Sequence, residues 1–141
     1  MRKASKIIYL VAAILSIVLA VNYLIAGIVL VVVPNTQVFI DAFIENYAPE
    51  AAEKMPVADA LTAVQAIMIT YGVGFIVTAC CAGVNSFFAF KAHGQEKPSK
   101  SLNVLNIVFG VLGGVLVNVV AAIFAFVANG QEARRAAVEK K

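Results

Sequence analysis

The sequence predicts an all-α membrane protein, a three-span helical bundle with a short amphipathic extramembrane helix between the first and second spans. Three observations predict it. Hydrophobic residues make up 62% of the 141-residue chain and charged residues 13%, against roughly 45–50% and roughly 25% in soluble domains. The mean hydropathy is +0.91. Three runs, residues 7–33, 61–90 and 102–128, contain no Asp, Glu, Lys, Arg or His, and each exceeds the roughly 20 residues that carry a helix across a bilayer. The chain reads as one membrane domain, 1–141, with an extramembrane helical insertion at 35–60 and a basic tail at 129–141.

The first span follows Arg2, Lys3 and Lys6. Basic residues before an apolar run also describe a secretory signal, and Val18-Leu19-Ala20 would serve as its cleavage site. The run continues for 27 residues, from Ile7 to Val33, where a signal's apolar region has about 7–15, so an uncleaved signal-anchor span is expected. Pro34 ends it, because proline lacks the N–H that the helical ladder needs.

The insertion differs in character. Asp41, Glu45, Glu50, Glu53 and Asp59 face Lys54 alone, a net charge of −4 over residues 35–60. Phe39, Ile40, Phe43, Ile44 and Tyr47 recur at helical spacing, with Asp41, Glu45 and Asn46 on the opposite side. The pattern predicts a short helix on the membrane surface or capping the bundle, and those five apolar residues are the candidate partner surface. Pro49 and Pro56 bracket a second helical turn, Glu50–Met55.

In the second span, Gly72, Ala79, Gly83 and Ser86 form one small-residue row and Tyr71, Gly74, Thr78 and Asn85 another. The first span carries a comparable row in Ala12, Ser16, Ala20 and Gly27, with Asn22 and Tyr23 beside it. Small residues let membrane helices approach, and polar side chains bond across the contact for about 0.5–2 kcal/mol each. The adjacent Cys80 and Cys81 read as small hydrophobic residues rather than a bridge or metal site. Residues 91–101, with Lys91, Lys97 and Lys100, form a polar turn in which Gly94 and Pro98 interrupt the helix. His93 has no second ligand nearby and reads as a solvated loop residue.

The third run, Leu102–Ala128, is uncharged and holds Asn103, Asn106, Gly110, Gly113, Gly114, Asn118, Ala121 and Ala125 along one side. Asn129-Gly130 is a helix-ending pair. Basic residues near span ends favour the cytoplasm. With three crossings, six basic residues fall inside (Arg2, Lys3, Lys6, Lys91, Lys97, Lys100) and five outside (Lys54, Arg134, Arg135, Lys140, Lys141). A re-entrant turn at Gly113-Gly114 would bring the tail back inside. Its legs of about 12 residues are too short to cross at roughly 20 per span, and a turn within the membrane needs its backbone groups satisfied. A single crossing of 102–128 is therefore expected, with the N-terminus cytoplasmic, 35–60 extracytoplasmic and the tail outside.

No ionisable side chain lies within the runs to mark a proton relay or ion path. No nucleophile–base pair, phosphate-cradling loop or metal-ligand spacing appears elsewhere, so no enzyme, cofactor, metal site or nucleic-acid partner is expected. Asn118, nearest the middle of its run, must bond within the bundle, to another subunit or to pore water, because an unsatisfied amide there costs several kcal/mol. Asn118, Asn106, Gly110, Gly113, Gly114, Asn85, Gly72 and Gly83 are the candidate packing and polar-contact residues.

Asn106, Phe109-Gly110, Gly113-Gly114, Asn118 and the charged end Glu132–Arg135 give the chain a plan that resembles small uncharacterised bacterial polytopic membrane proteins of the domain-of-unknown-function type. The resemblance implies a bacterial inner-membrane setting. The expected role is association within the bilayer, as a homo-oligomer or as an accessory subunit of a larger membrane-protein partner. The alternative is an oligomeric, holin-like pore in which Asn118, Asn106 and Asn85 face water, and a third is a module binding lipid or a small molecule between spans.

Overall fold

The computed structural model describes residues 2–48, 51 and 53–139, with backbone alone at residues 2, 135 and 137–139. It is 88% helical, with no strand among the described residues. The elements are α1 (Arg2–Val32), a 3₁₀ turn (Val33–Asn35), α2 (Gln37–Glu45), α3 (Val57–Gly94), α4 (Lys100–Leu112) and α5 (Leu116–Glu139). Three helical stretches are long and apolar enough to cross a membrane: Lys3–Asn35, Val57–Gly94 and Leu116–Arg134. Large apolar side chains such as Ile14, Ile25, Ile67, Val77 and Ile123 are exposed along all three, as suits helices whose surroundings are lipid tails. The protein is thus an integral membrane protein. Helix α4 is apolar but shorter, at 13 residues.

The chain divides into two compact units, Met1–Val21 with Thr78–Lys141, and Asn22–Val77. In the second unit, Pro34 ends α1 as expected, and Thr36 starts α2. The Thr36 hydroxyl donates to Val33 O at 2.7 Å and accepts from the Phe39 N–H at 3.3 Å, which supplies one of the first-turn amides with an acceptor. Gln65 Nε2 donates to Pro34 O, and Tyr23 stacks on Phe75 at 5.8 Å. Where α1 and α3 cross, a Cβ on Gly27 would lie 2.8 Å from Gly72 O, and one on Gly72 would lie 2.9 Å from Gly27 O. Only glycine at both positions allows that approach. Pro49, Glu50 and Ala52 lie outside the described residues, and with them most of the expected turn Glu50–Met55.

The first unit corrects the reading of Leu102–Ala128 as one helix. The chain leaves the α-helix at Gly113-Gly114 and doubles back, so α4 and α5 form an antiparallel hairpin. Val115 N–H bonds to Gly110 O at 2.7 Å and Gly114 N–H to Val111 O at 3.2 Å, while Gly114 has φ 70°. That is a Schellman termination, which closes the last carbonyls of α4 within the turn itself. Gly114 is the residue that requires a glycine, since a side chain in the left-handed region costs about 1–2 kcal/mol. The objection that a turn at this depth would leave its backbone unsatisfied is met by these bonds. A second correction concerns the end of α5. Asn129-Gly130 does not stop it; the helix runs to Glu139, with Asn129 Nδ2 bonded to Pro98 O at 3.2 Å.

The core of the first unit is made mostly of small residues. Ala13, Ala89, Ala92, Ala121, Ala122 and Ala125 pack with Tyr9 and Leu102, and Ile8, Phe88 and Ile107 lie against them. Alanine at these positions lets backbones approach and replaces contact with lipid by contact with another helix.

Candidate functional site

The hairpin brings together polar residues that are far apart in sequence. Asn85 from α3, Asn106 from α4 and Asn118 from α5 are each 0% exposed, as is Ser16 from α1. Asn118 Nδ2 donates to Asn85 Oδ1 and, at 2.8 Å, to Asn106 Oδ1. Asn85 Nδ2 donates to Ser16 Oγ at 2.9 Å, and the Ser16 hydroxyl donates to Ala12 O at 2.7 Å. Asn106 Nδ2 donates within its own helix to Leu102 O at 2.9 Å. One connected layer of side chains therefore ties four helices together.

A second set lies nearer the chain's basic residues. Tyr9 OH donates to Asn103 Oδ1 at 2.8 Å, Ser86 Oγ to Ala13 O at 3.2 Å and Ser5 Oγ to Ala121 O at 3.3 Å. Two buried amide atoms, Asn103 Nδ2 and Asn118 Oδ1, have no partner among the described residues. Side-chain amides neither gain nor lose a proton near neutral pH, so the three asparagines of the first layer carry no charge of their own. What they can do is fix the rotation and register of each helix, because each bond requires one alignment.

Of the predicted packing residues, Asn118, Asn106 and Asn85 meet directly, and Gly110 and Gly113 lie at close contacts in the same unit. A Cβ on Gly113 would sit 2.8 Å from Ala82 Cα and 2.9 Å from Ala82 N, and one on Gly110 would sit 3.2 Å from Val115 O. Gly72 belongs to the contact with Gly27 in the other unit. Gly83 does not join them: nothing lies within 4 Å of the position its Cβ would take, and Ala82 makes the contact expected of it. A row read at every fourth residue drifts around a helix of 3.6 residues per turn, which is why Gly83 falls on the open side. Tyr9 was missed; as a hydroxyl-bearing residue inside an apolar run, with Asn103 inside another, it carried a readable signal.

At the outer end of this unit, the His93 Nδ1–H donates to Lys6 O at 2.9 Å, Asn129 reaches Pro98, and Lys97 pairs with Glu132 at 3.7 Å. His93 is thus half-buried and bonded rather than a free loop residue. These contacts place the start of α1, the end of α3, the start of α4 and the far part of α5 together. The three basic segments of the sequence, 2–6, 91–100 and 134–141, all belong to or adjoin these elements, and Lys54 is the one remaining lysine or arginine.

In the second unit, the rings of Phe39, Phe43 and Tyr47 follow one another at 6.2 and 5.6 Å, and Tyr47 OH donates to Met55 O at 3.0 Å. Phe39, Ile40, Phe43 and Tyr47 are half-buried, whereas Ile44 is 50% and Val38 80% exposed. The five-residue stripe is therefore only partly presented, and Val38 adds to it. The chain matches no protein-family model, no curated protein and no solved structure.

Proposed function

We propose that this protein works by association within the membrane, as a homo-oligomer or an accessory subunit, and that α4 and α5 form a re-entrant hairpin entering from the cytoplasmic face. The observation that carries the reading is the closed amide layer. Asn85, Asn106 and Asn118, the side chains named for a water path, are buried and bonded to one another, which leaves the outer apolar surface and the insertion to meet partners. The pore alternative requires Asn85, Asn106 and Asn118 to face water, and their burial gives it no support.

The hairpin supports the orientation. Gly113 rests against Ala82, and His93 against Lys6. The eleven helical steps of α3 from Ala82 to His93 rise about 16 Å, roughly half of a hydrocarbon core of about 30 Å. The turn then lies near the bilayer midplane, where Gly113 and Val115 are buried and the bonds from Gly114 N–H and Val115 N–H satisfy backbone groups that a turn at that depth cannot leave open. Both legs return to the same face, so the tail joins the N-terminus and the 91–100 segment, and nearly all Lys and Arg lie on the cytoplasmic side. Helix α1 crosses once, which puts residues 35–60 outside. There α2 acts as the amphipathic extramembrane helix, with Asp41 and Glu45 in water and Val38 and Ile44 open to a partner.

Native mass spectrometry of the protein extracted in mild detergent, alongside a flux assay in liposomes, tests the proposal. A species larger than one chain and no flux sensitive to Asn118→Leu are expected. A wholly monomeric chain, or flux lost in that variant, would overturn it.

A further inference from the structure

Between the turn that precedes α4 and the outer part of α5 there is a cavity of about 450 Å³, lined among others by Lys97, Ser99, Lys100, Phe126, Asn129 and Gly130. We propose that it binds the phosphodiester headgroup of an anionic glycerophospholipid. Its chemistry has two parts. Lys97 and Lys100 supply positive charge on one side, and Phe126 supplies an apolar wall on the other, the combination that a charged headgroup joined to acyl chains requires. Lys97 is partly neutralised by Glu132 at 3.7 Å, whereas Lys100 has no ion-pair partner among the described residues and provides the net attraction.

Gly130 is the independent mark of a site. Glycine inside a helix is destabilising relative to alanine, yet α5 passes straight through it. No neighbouring atom demands its small size, since a Cβ there would meet nothing within 4 Å. What the missing side chain leaves open is the cavity that Gly130 lines. Asn129 beside it is bonded to Pro98 O, which holds the two walls together. The cavity also sits where the apolar helices give way to the chain's basic segments, which in the hairpin orientation proposed above, on which this part rests, is the level of lipid phosphates.

The test is titration of the full-length protein in non-ionic detergent with phosphatidylglycerol or phosphatidylcholine, read as bound lipid per single chain by native mass spectrometry. It reads lipid on one chain, so its outcome is independent of whether chains associate. Phosphatidylglycerol should bind more tightly than phosphatidylcholine. Lys100→Gln should weaken it about fivefold, the equivalent of the roughly 1 kcal/mol that one basic residue contributes near anionic lipid. Gly130→Leu, which fills the cavity without changing charge, should also abolish the preference. Lys91→Gln, which removes a charge from the same basic region outside the cavity, should preserve it. Equal binding of the two lipids, equal loss in the Lys91 and Lys100 variants, or full binding by Gly130→Leu would overturn the proposal. Displacement of the lipid by glycerol phosphate at equal concentration would assign the site to a soluble phosphate and overturn it as well. Circular dichroism on each variant confirms that the helices are intact.

Discussion

Asn118 is the residue on which the interior of the first unit converges. Its amide nitrogen serves acceptors on Asn85 and Asn106, while its own Oδ1 has no partner among the described residues. Asn118→Leu removes that orphan oxygen but leaves the Asn85 and Asn106 oxygens without this donor. Buried acceptors left unsatisfied cost about 1–3 kcal/mol, and polar contacts between membrane helices contribute about 0.5–2 kcal/mol each. The variant is therefore expected to lose about 1–3 kcal/mol of stability in a detergent unfolding titration. Asn85→Leu added to Asn118→Leu removes one stranded oxygen and should cost less than the sum of the two single changes. Full additivity would show that the two amides do not depend on each other.

At the scale of the element, the α4–α5 hairpin depends on two adjacent glycines for different reasons. Gly114 adopts a left-handed conformation, so Gly114→Ala should destabilise by about 1–2 kcal/mol through backbone strain. Gly113 does not; a methyl there would strike the backbone of Ala82 at 2.8 and 2.9 Å. Backbone cannot swing aside like a flexible side chain, so Gly113→Ala should be the more damaging and should separate α4 from α3. A detergent unfolding titration checks this, with a larger loss of stability expected for Gly113→Ala than for Gly114→Ala. The sequence allowed this hairpin but did not favour it. Hydropathy sums over a window, and an uncharged run of 27 residues satisfies a crossing whether or not one φ angle reverses the chain. The Asn–Asn contacts were legible as a need for partners, since an amide in a lipid-facing run cannot go unbonded. Which partners it found depended on the fold-back, and so could not be read from spacing. Asn129-Gly130 misled in the opposite direction, because the Asn129 side chain bonds to Pro98 and the helix continues past both.

For the whole molecule, composition was enough to place the chain in a membrane, and the remaining question was the side on which each polar segment lies. Three single crossings divide the basic residues six against five, which is no bias at all. The fold-back at Gly113-Gly114 returns α5 to the end of the first unit where Lys6 meets His93 and Lys97 meets Glu132. Positive residues near membrane ends are held in the cytoplasm, and the proposed re-entrant hairpin would put that end there. Impermeant thiol labelling checks this in a background where Cys80 and Cys81 are replaced by alanine. A cysteine at Ala136, an exposed position on α5, should react only after the membrane is disrupted. A cysteine at Ala42, exposed on α2, should react in intact cells. Reaction of both in intact cells would mean that the chain crosses an even number of times after α2, with α5 emerging on the far side and the hairpin opened. Protection of both would put α2 in the cytoplasm or within the bilayer, and would remove the acidic insertion as an outward-facing surface.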